Sequence, residues 1–471
     1  MVGGARAVAR CDALGIAPYS DMPDGLYRGY LTPAYAAAQD ALAGWMADAG
    51  MTVLRDPAAN LIGHYAGTDV QAPALLIGSH LDSVRDGGRY DGPLGILLGI
   101  EAVAALHAAG RRMRFPIEVI AFGDEEGSRF PAAMLTSRAV AGTLDMAALE
   151  VADADGVTLA EALAALPPLS PFVLSEVEAQ IPGAALAARA STSLSTNGEE
   201  DAHAANRHPS ASWGLPGEGA SAPQKTPACA GVTAFGEARI PEALAYLEAH
   251  IEQGPVLEAE GLAIGTVTGI AAQLRFQASV IGVAGHAGTA SMPLRRDALA
   301  GAAEMMLAIE RIARADASDL VATVGRIEAL PGAANVIPGT VRFTIDIRSG
   351  DPARRDRAAE AILDAIAAIA DARGLDFDVD HIHDLPASPC DPALMDLLDA
   401  ATAAAGQPMR RLVSGAGHDA MVMAALCPTA MLFVRCRGGI SHNPAEHVDP
   451  ADAEIALRVM LGFIERLGDA A

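Results

Sequence analysis

Residues 77–100 read IGSHLDSVRDGGRYDGPLGILLGI, and this stretch decides the fold of the chain. The apolar run 74–78 that leads into it is typical of a buried strand, whereas the apolar residues that follow have helical spacing. His80 and Asp82 come at the end of the strand, and Asp91 comes just before the helix. Ligands of open α/β sheets bind at the carboxyl ends of the strands. The stretch therefore predicts polar side chains at the functional edge of a sheet.

A second apolar run, at 117–122, follows the helix predicted for 93–107 and completes a β-α-β unit. The carboxyl ends of parallel strands joined in this way lie at one edge of the sheet. Glu125 and Glu126 come just after the second strand. Because adjacent residues point in different directions, one carboxylate can bind a metal ion while the other meets a water molecule, as metal-assisted hydrolysis requires. Taken singly, the polar residues of both stretches have simpler explanations: a strand-end turn, a helix cap and an acidic surface loop.

The composition indicates a folded protein and excludes several classes of partner. The 471 residues are too many for one ordinary core, so two or three domains are expected, and 51% of them are hydrophobic. A net charge of −25 argues against nucleic-acid binding, which needs a basic surface. The cysteines are scattered without a C-x-x-C pair, and the N-terminus has no signal-peptide pattern. The longest apolar stretch, 94–109, carries Glu101 and His107, so we expect no membrane span and a cytoplasmic protein.

The order of the patterns predicts two domains and an insertion. Residues 240–249 have the apolar spacing of a helix, and from about 265 the order becomes strand, helix, strand, strand, helix, strand. The predicted elements of that later part are 273–283, 297–314, 320–327, 341–347 and 352–373. We therefore predict an α/β fold in which 1–271 and 387–471 form a catalytic domain, with a mixed, mostly parallel sheet and helices on both faces. Residues 272–386 are predicted to form a smaller ferredoxin-like α/β domain used for dimerisation. The segment 188–236, rich in Ser, Thr, Pro and Gly, is predicted to be a disordered insertion.

Seven motifs stand in the same order as in one known family. They are GSHLDSVRDGGRYDGPLG, FGDEEGSRF, HIEQGPVLE, GHAGTASMPLRRDAL, NVIPGTVRFTIDIR, SGAGHDAM and GISHNPAEH, and they extend from residue 78 to residue 447. On these motifs the sequence resembles the metal-dependent amidohydrolases of the peptidase M20 superfamily. It is most similar to the branch that contains N-carbamoyl-L-amino-acid hydrolase, allantoate amidohydrolase and β-ureidopropionase. The resemblance covers nearly the whole chain except the insertion.

The resemblance implies a centre of two divalent metal ions. The ligands that it implies are His80, Asp91 and His250 for one ion, and Asp91, Glu126 and His442 for the other, with Asp91 as the bridge. Glu125 would be the base that takes a proton from water and returns it to the leaving nitrogen, and Asp82 would support His80. Imidazole and carboxylate ligands favour zinc, with manganese, nickel or cobalt as alternatives. Two dications outweigh two carboxylates, and the positive centre would attract an anionic substrate.

The resemblance also implies contacts between the smaller domain and the substrate. His286 would reach the active site of a partner subunit in a homodimer and stabilise the developing oxyanion. Arg348 would offer its planar guanidinium to a substrate carboxylate. Asn335 and Gln253 would add amide hydrogen bonds, and His418 would lie on the substrate side or support the ligands. Without the resemblance, His286 would be interpreted as a turn residue and Arg348 as an ordinary surface arginine.

The expected reaction is the hydrolysis of a ureido C–N bond, converting an N-carbamoyl-L-amino acid to the L-amino acid, ammonia and carbon dioxide. Allantoate is the alternative substrate. An M20 peptidase or aminoacylase is a second enzymatic alternative, although the peptidases usually have a carboxylate where this chain has His250. A metal-stabilised binding protein without turnover is the alternative of another class. That alternative predicts loss of the base or of a ligand, whereas Glu125 and all five ligand residues are present. The expected partners are a small anionic ureido substrate and a second copy of the chain.

Overall fold

The computed structural model describes residues 3–169 and 242–470, and the insertion predicted at 188–236 lies outside these residues. The chain forms two compact units. The first comprises the described residues of Met1–Val267 together with Cys390–Arg411 and His418–Ala471, and the second comprises Thr268–Pro389 and Leu412–Gly417.

The described elements are numbered in chain order. The helices are α1 (Gly4–Leu14), α2 (Pro33–Asp48), α3 (Pro93–Ala108), α4 (Leu135–Val140), α5 (Leu159–Ala165), α6 (Val256–Glu260), α7 (Ala298–Ala315), α8 (Pro352–Arg373), α9 (Pro392–Ala404), α10 (Asp419–Met423) and α11 (Pro450–Ala470). The strands are β1 (Thr52–Arg55), β2 (Leu61–Tyr65), β3 (Ala74–His80), β4 (Ile117–Phe122), β5 (Ala243–Ile251), β6 (Ile264–Ile270), β7 (Ala272–Ile281), β8 (Gly285–His286), β9 (Val321–Thr323), β10 (Ile327–Leu330), β11 (Val336–Ile337), β12 (Thr340–Ser349), β13 (Asp376–Leu385), β14 (Ser388–Pro389), β15 (Arg411–Ser414) and β16 (Thr429–Val434).

A mixed sheet forms the centre of the first unit, with strands in the order β1-β2-β4-β3-β5-β16-β6. The central strands β4, β3, β5 and β16 run parallel. The outer pairs β1–β2, β2–β4 and β16–β6 are antiparallel. The predicted α/β fold with a mixed sheet is therefore confirmed, and its four central strands are parallel. Because β3 and β4 are neighbours and parallel, the residues that follow them lie at the same edge of the sheet.

Helix α3 connects β3 to β4 and is buried along most of its length. It packs against β3, β4 and β5, and α1 and α11 also contact it. This surrounding explains its nearly continuous apolar sequence, since from Pro93 to Val103 no face of the helix is left to solvent. The exception is Glu101, which is 1% exposed and binds the guanidinium groups of Arg6 and Arg10 from α1 at 2.6 and 2.9 Å.

The helix predicted for residues 240–249 is wrong, because most of this segment forms strand β5. The strand lies between β3 and β16, and its side chains are buried on both faces from Ala245 onward. A strand with two buried faces has no alternation of polar and apolar residues, so periodicity does not distinguish it from a buried helix. The Ala and Leu residues of this segment also have high helix propensity, and packing in the sheet overrides that preference.

The second unit has its own antiparallel sheet, in the order β10-β12-β7-β13, with β9 also beside β12. Helices α7 and α8 pack on β7 and β12. The strand predicted at 320–327 is divided into β9 and β10, which pair with successive parts of β12. Among the described residues, no helix combines the length and the apolar character needed to cross a membrane.

Candidate metal centre

The carboxylate of Asp91 lies at the centre of the site, at the start of α3. It does not cap the helix, because the N-cap residue is Gly92 and no side chain caps this end. Asp91 is 6% exposed, with its Oδ1 atom 3.1 Å from His250 Nε2 and 3.6 Å from His80 Nε2. Its Oδ2 atom lies 3.2 Å from His442 Nε2. Gly92 has φ +83, and a Cβ atom there would lie 2.4 Å from the carbonyl oxygen of His80. A glycine at this position therefore lets Asp91 approach the end of β3.

His80 and His250 stand on the neighbouring strands β3 and β5, and main-chain carbonyls fix their tautomers. His80 Nδ1 lies 3.0 Å from the carbonyl oxygen of Asp82, and His250 Nδ1 lies 2.9 Å from that of Ile251. Because a carbonyl oxygen only accepts hydrogen bonds, each Nδ1 carries the proton. The two Nε2 atoms are 3.4 Å apart and both face Asp91.

These three side chains fit a divalent cation. Ligand atoms of His80, Asp91 and His250 all lie within 4.8 Å of one another. Asp91 Oδ1 is buried and receives no well-aligned hydrogen bond from the described residues. Burial opposes protonation of both imidazoles, yet the carboxylate of Asp91 raises the pKa of His80 and the pKa of His250 above the usual value. The cluster therefore favours added positive charge, which a divalent metal ion would supply.

A second group of ligand atoms shares Asp91. Asp91, Glu126 and His442 also lie within 4.8 Å of one another, with His442 Nε2 3.4 Å from Glu126 Oε1. The Asp91 carboxylate raises the pKa of His442 to about 9. Burial and the charge of Asp91 raise the pKa of Glu126 to about 7. The structure thus brings together all five ligand residues that the sequence predicts, in two groups that meet at Asp91.

Asp82 is arranged differently from the sequence prediction. Its main-chain carbonyl contacts the imidazole of His80, whereas its Oδ1 atom lies 3.8 Å from His80 Nδ1. The carboxylate instead accepts hydrogen bonds from the main-chain N–H groups of Glu125 and Glu126, at 3.2 and 3.3 Å. Asp82 therefore links the ends of β3 and β4 and orients the two adjacent glutamates. Burial and the charge of Glu126 raise the pKa of Glu125 well above its usual value, against the opposing effect of His80.

Three further residues support Asp91, and the sequence indicated a role for only one of them. Gln253 Nε2 and Ser441 Oγ donate hydrogen bonds to Asp91 Oδ2, at 2.9 and 2.8 Å. Glu446 Oε1 accepts hydrogen bonds from the main-chain N–H groups of Tyr90 and Asp91, at 2.7 and 3.1 Å. Ser441 and Glu446 belong to the motif GISHNPAEH, in which the resemblance implies a ligand role for His442 alone.

Of the two positions expected for His418, on the substrate side or in support of the ligands, the structure favours the second, because His418 lies in the packed wall of the site. It is 1% exposed, and its ring lies edge-on against His250 with the ring centroids 4.4 Å apart. Glu248 is also buried there, where it accepts hydrogen bonds from Ser79 Oγ and from the main-chain N–H of Ala420, at 3.0 and 2.9 Å. His418 therefore packs against a ligand residue and has almost no surface open to a substrate.

The remaining predicted residues, His286, Asn335 and Arg348, belong to the second unit. His286 and Asn335 are exposed and lie on adjoining segments, since β8 pairs with β11 and the N–H of Ala287 donates a hydrogen bond to the carbonyl oxygen of Asn335 at 2.9 Å. Arg348 lies on β12, where it binds Asp346. Their roles toward a substrate stay predictions.

The mixed α/β fold and the histidine–carboxylate centre at the strand ends define a metal-dependent hydrolase. Residues 76–466 match the profile of Peptidase family M20/M25/M40, so the chain belongs to this family, as its motifs predict. The chain is 37% identical to allantoate deiminase 1 of Glycine max, over 98% of this chain and 89% of that protein. It is 36% identical to the N-carbamoyl-L-amino acid amidohydrolase of Geobacillus stearothermophilus, over 94% of this chain and 93% of that protein. The crystal structure of an amidase of the hydantoinase/carbamoylase family from Burkholderia multivorans matches with a TM-score of 0.79 at 32% identity, over 99% of this chain and 98% of that chain.

Proposed function

We propose that the protein hydrolyses the ureido group of N-carbamoyl-L-amino acids, releasing the L-amino acid, ammonia and carbon dioxide. The observation that carries this proposal is the imidazole of His250, which converges on Asp91 at 3.1 Å, at the ligand position where the related peptidases usually have a carboxylate. The relatives named as N-carbamoyl-L-amino acid amidohydrolases support the same assignment. Allantoate is the second candidate, because relatives named as allantoate deiminases match the chain equally well.

In this proposal the centre binds two divalent ions. His80, Asp91 and His250 hold one, Asp91, Glu126 and His442 hold the other, and the cations supply Lewis acidity and positive charge. Imidazole and carboxylate ligands favour zinc, with manganese, nickel or cobalt as alternatives.

Residues of the chain carry out the proton transfers and position the reacting groups. Glu125 takes a proton from the attacking water and returns it to the nitrogen that leaves. A C–O bond forms at the carbamoyl carbon and one C–N bond breaks, which releases one of the two nitrogen products. The carbamic acid that remains decomposes to carbon dioxide and the other nitrogen product, so that ammonia and the L-amino acid are both formed. Asp82 keeps Glu125 in place by accepting a hydrogen bond from its main-chain N–H. Gln253 donates its side-chain N–H groups to Asp91 and Ser441 and its Oε1 atom is buried, so it supports Asp91 rather than the expected substrate contact.

The second unit contributes substrate contacts in the proposed homodimer. His286 reaches the centre of the partner subunit and stabilises the oxyanion, while Asn335 adds an amide hydrogen bond. Arg348 receives the substrate carboxylate. The exposed position of His286 on β8 supports this assignment, because an imidazole that acts in another subunit must be accessible in its own.

The proposal is tested with metal-loaded protein. Ammonia release is followed from N-carbamoyl-L-amino acids and from allantoate, and amine release is followed from dipeptides and N-acyl amino acids. The Glu125→Gln variant is the control, and it should bind metal normally while kcat falls by about 100- to 10,000-fold, as expected for loss of a general base. Turnover of dipeptides alone would refute the ureido assignment. Metal binding without turnover of any of these compounds would favour a binding protein.

A further inference from the structure

The second unit contains an open cavity of about 540 Å³ on the face of its sheet. Three charged side chains line it: Arg275 from β7, and Asp346 and Arg348 from β12. Asp346 stands opposite Arg275 in the paired strands, and Arg348 lies two residues further along β12. Because residues i and i+2 of a strand point to the same face, the three side chains meet on one side of the sheet.

Asp346 binds both guanidinium groups. Arg348 donates Nε to Oδ1 at 2.7 Å and Nη2 to Oδ2 at 3.2 Å, which is a bidentate pair. Arg275 donates Nε and Nη2 to Oδ2 at 3.0 and 2.6 Å. Gln273 Nε2 donates a further hydrogen bond to Oδ2 at 2.5 Å. Arg275 and Gln273 therefore hold Asp346 independently of Arg348, and Asp346 is not free to follow Arg348 when that side chain moves.

The contacts of Arg348 leave part of its guanidinium available. Asp346 takes the Nε–H and one N–H of Nη2, and the carbonyl oxygen of Gly415 takes one N–H of Nη1 at 2.5 Å. A guanidinium has five N–H groups, so one remains on each terminal nitrogen. Two such groups are the donors that a carboxylate binds in bidentate fashion.

The charged side chains that line the cavity have a net charge of one sign. Burial acts against ionisation of Asp346, but its hydrogen bonds with Arg348 and Arg275 outweigh burial and hold its pKa below the usual value. Asp346 is therefore ionised at neutral pH. Two guanidinium groups and one carboxylate leave one net positive charge among the lining side chains, which matches a single carboxylate.

We propose that Asp346, anchored by Arg275 and Gln273, is a positioning residue that fixes Arg348 with two free N–H groups toward the cavity and so sets its preference for a ligand with one carboxylate. The inference rests on the proposed function, in which Arg348 receives the substrate carboxylate. A purely structural ion-pair network would instead stiffen the sheet without affecting which ligand binds.

The test compares N-carbamoyl-L-alanine with its α-carboxamide, which differs only in the charge of the group that Arg348 binds. Dissociation constants are measured by calorimetry on metal-loaded Glu125→Gln protein, so that binding is read without turnover. In Asp346→Asn the preference for the carboxylate should fall by about tenfold, the scale of one well-oriented charged hydrogen bond. Asp346→Glu keeps the negative charge at a shifted position and should give an intermediate preference. The matched control Asp378→Asn, at an exposed site on β13, should leave the preference unchanged.

A double-mutant cycle separates positioning from structure. Lysine has no guanidinium edge for Asp346 to hold, so in an Arg348→Lys background Asp346→Asn should change the preference by less than about twofold. An equal fall in both backgrounds, an unchanged preference in Asp346→Asn, or no carboxylate preference in the parent protein would overturn the inference. The proposed function fails separately, if wild-type protein releases no ammonia from the ureido substrates.

Discussion

Glu446 offers the sharpest test of how the centre is built. It is 5% exposed, and Oε1 accepts the main-chain N–H groups of Tyr90 and Asp91. A Cβ atom on Gly88 would lie 2.1 Å from the carboxyl carbon of Glu446, so only glycine lets the loop pack against this carboxylate. The perturbation is a matched pair, Glu446→Ala and Glu446→Gln. Glutamine keeps an acceptor in place of Oε1, whereas alanine removes it.

The magnitude follows from the groups that lose a partner. Alanine leaves two buried N–H groups unsatisfied, at about 1–2 kcal/mol each, and removes one buried methylene group, at about 0.8 kcal/mol. We therefore expect Glu446→Ala to be about 3–5 kcal/mol less stable than Glu446→Gln. Glu446→Gln should stay close to wild type, because burial raises the pKa of Glu446 to about 7 and a neutral side chain is tolerated there.

The assay is denaturant unfolding of the metal-free and metal-loaded forms, together with the metal content of each purified variant by mass spectrometry. Because Asp91 is the residue held by Glu446, the alanine variant should also retain less metal than the glutamine variant. Gly88→Ala perturbs the same contact from the opposite side and should resemble Glu446→Ala. Equal stability and equal metal content in Glu446→Ala and Glu446→Gln would refute the reasoning.

Three other measurements address the fold and the centre. Glu101→Ala leaves two partly exposed arginines without their carboxylate and should destabilise the protein by about 1–3 kcal/mol, whereas Glu310→Ala, which breaks an exposed ion pair on α7, should cost less than about 0.5 kcal/mol. If urea unfolding gave similar losses of stability for Glu101→Ala and Glu310→Ala, a structural role for the ion pairs of Glu101 would be contradicted. Treatment with a chelator should lower Tm, and added zinc or manganese should restore it, because binding to the folded state alone is stabilising. A Tm that does not respond to verified metal removal would argue against the ligand set. Asp124 has φ 61, in the left-handed region that glycine adopts more easily than alanine. Asp124→Gly should therefore be more stable than Asp124→Ala by about 1 kcal/mol in urea unfolding. The reverse order of stability would exclude a left-handed backbone at the residue before Glu125.

The sequence predicted those parts of the fold in which local pattern and packing agree. The runs that became β3, β4 and α3 are nearly continuous apolar stretches, and polar residues mark where each of them ends. Strand β5 was predicted as a helix because the sequence contains no sign of the two neighbouring strands that bury both of its faces. The five candidate ligands could be named because their motifs resemble those of a known family, whereas the residue pattern alone pointed only to the strand ends with His80, Asp91 and the pair Glu125 and Glu126. Glu446 could not, since its partners are main-chain N–H groups of residues 90 and 91, which have no signature in sequence.

Strained backbone occurs both at a candidate metal ligand and at residues that only position the ligands. Asp124, Gln253 and His442 have φ values of 61, 55 and 55, in the left-handed region that side chains other than glycine rarely occupy. Asp124 precedes Glu125, Gln253 contacts Asp91, and His442 is itself a candidate ligand. Each such conformation costs on the order of 1 kcal/mol. A chain selected only for stability would place glycine or asparagine at such positions. We attribute the strain to the placement of Glu126 and His442 beside Asp91 and of Glu125 beside His80. The hydrogen bonds of Asp82 and Gln253 hold the strained segments in place.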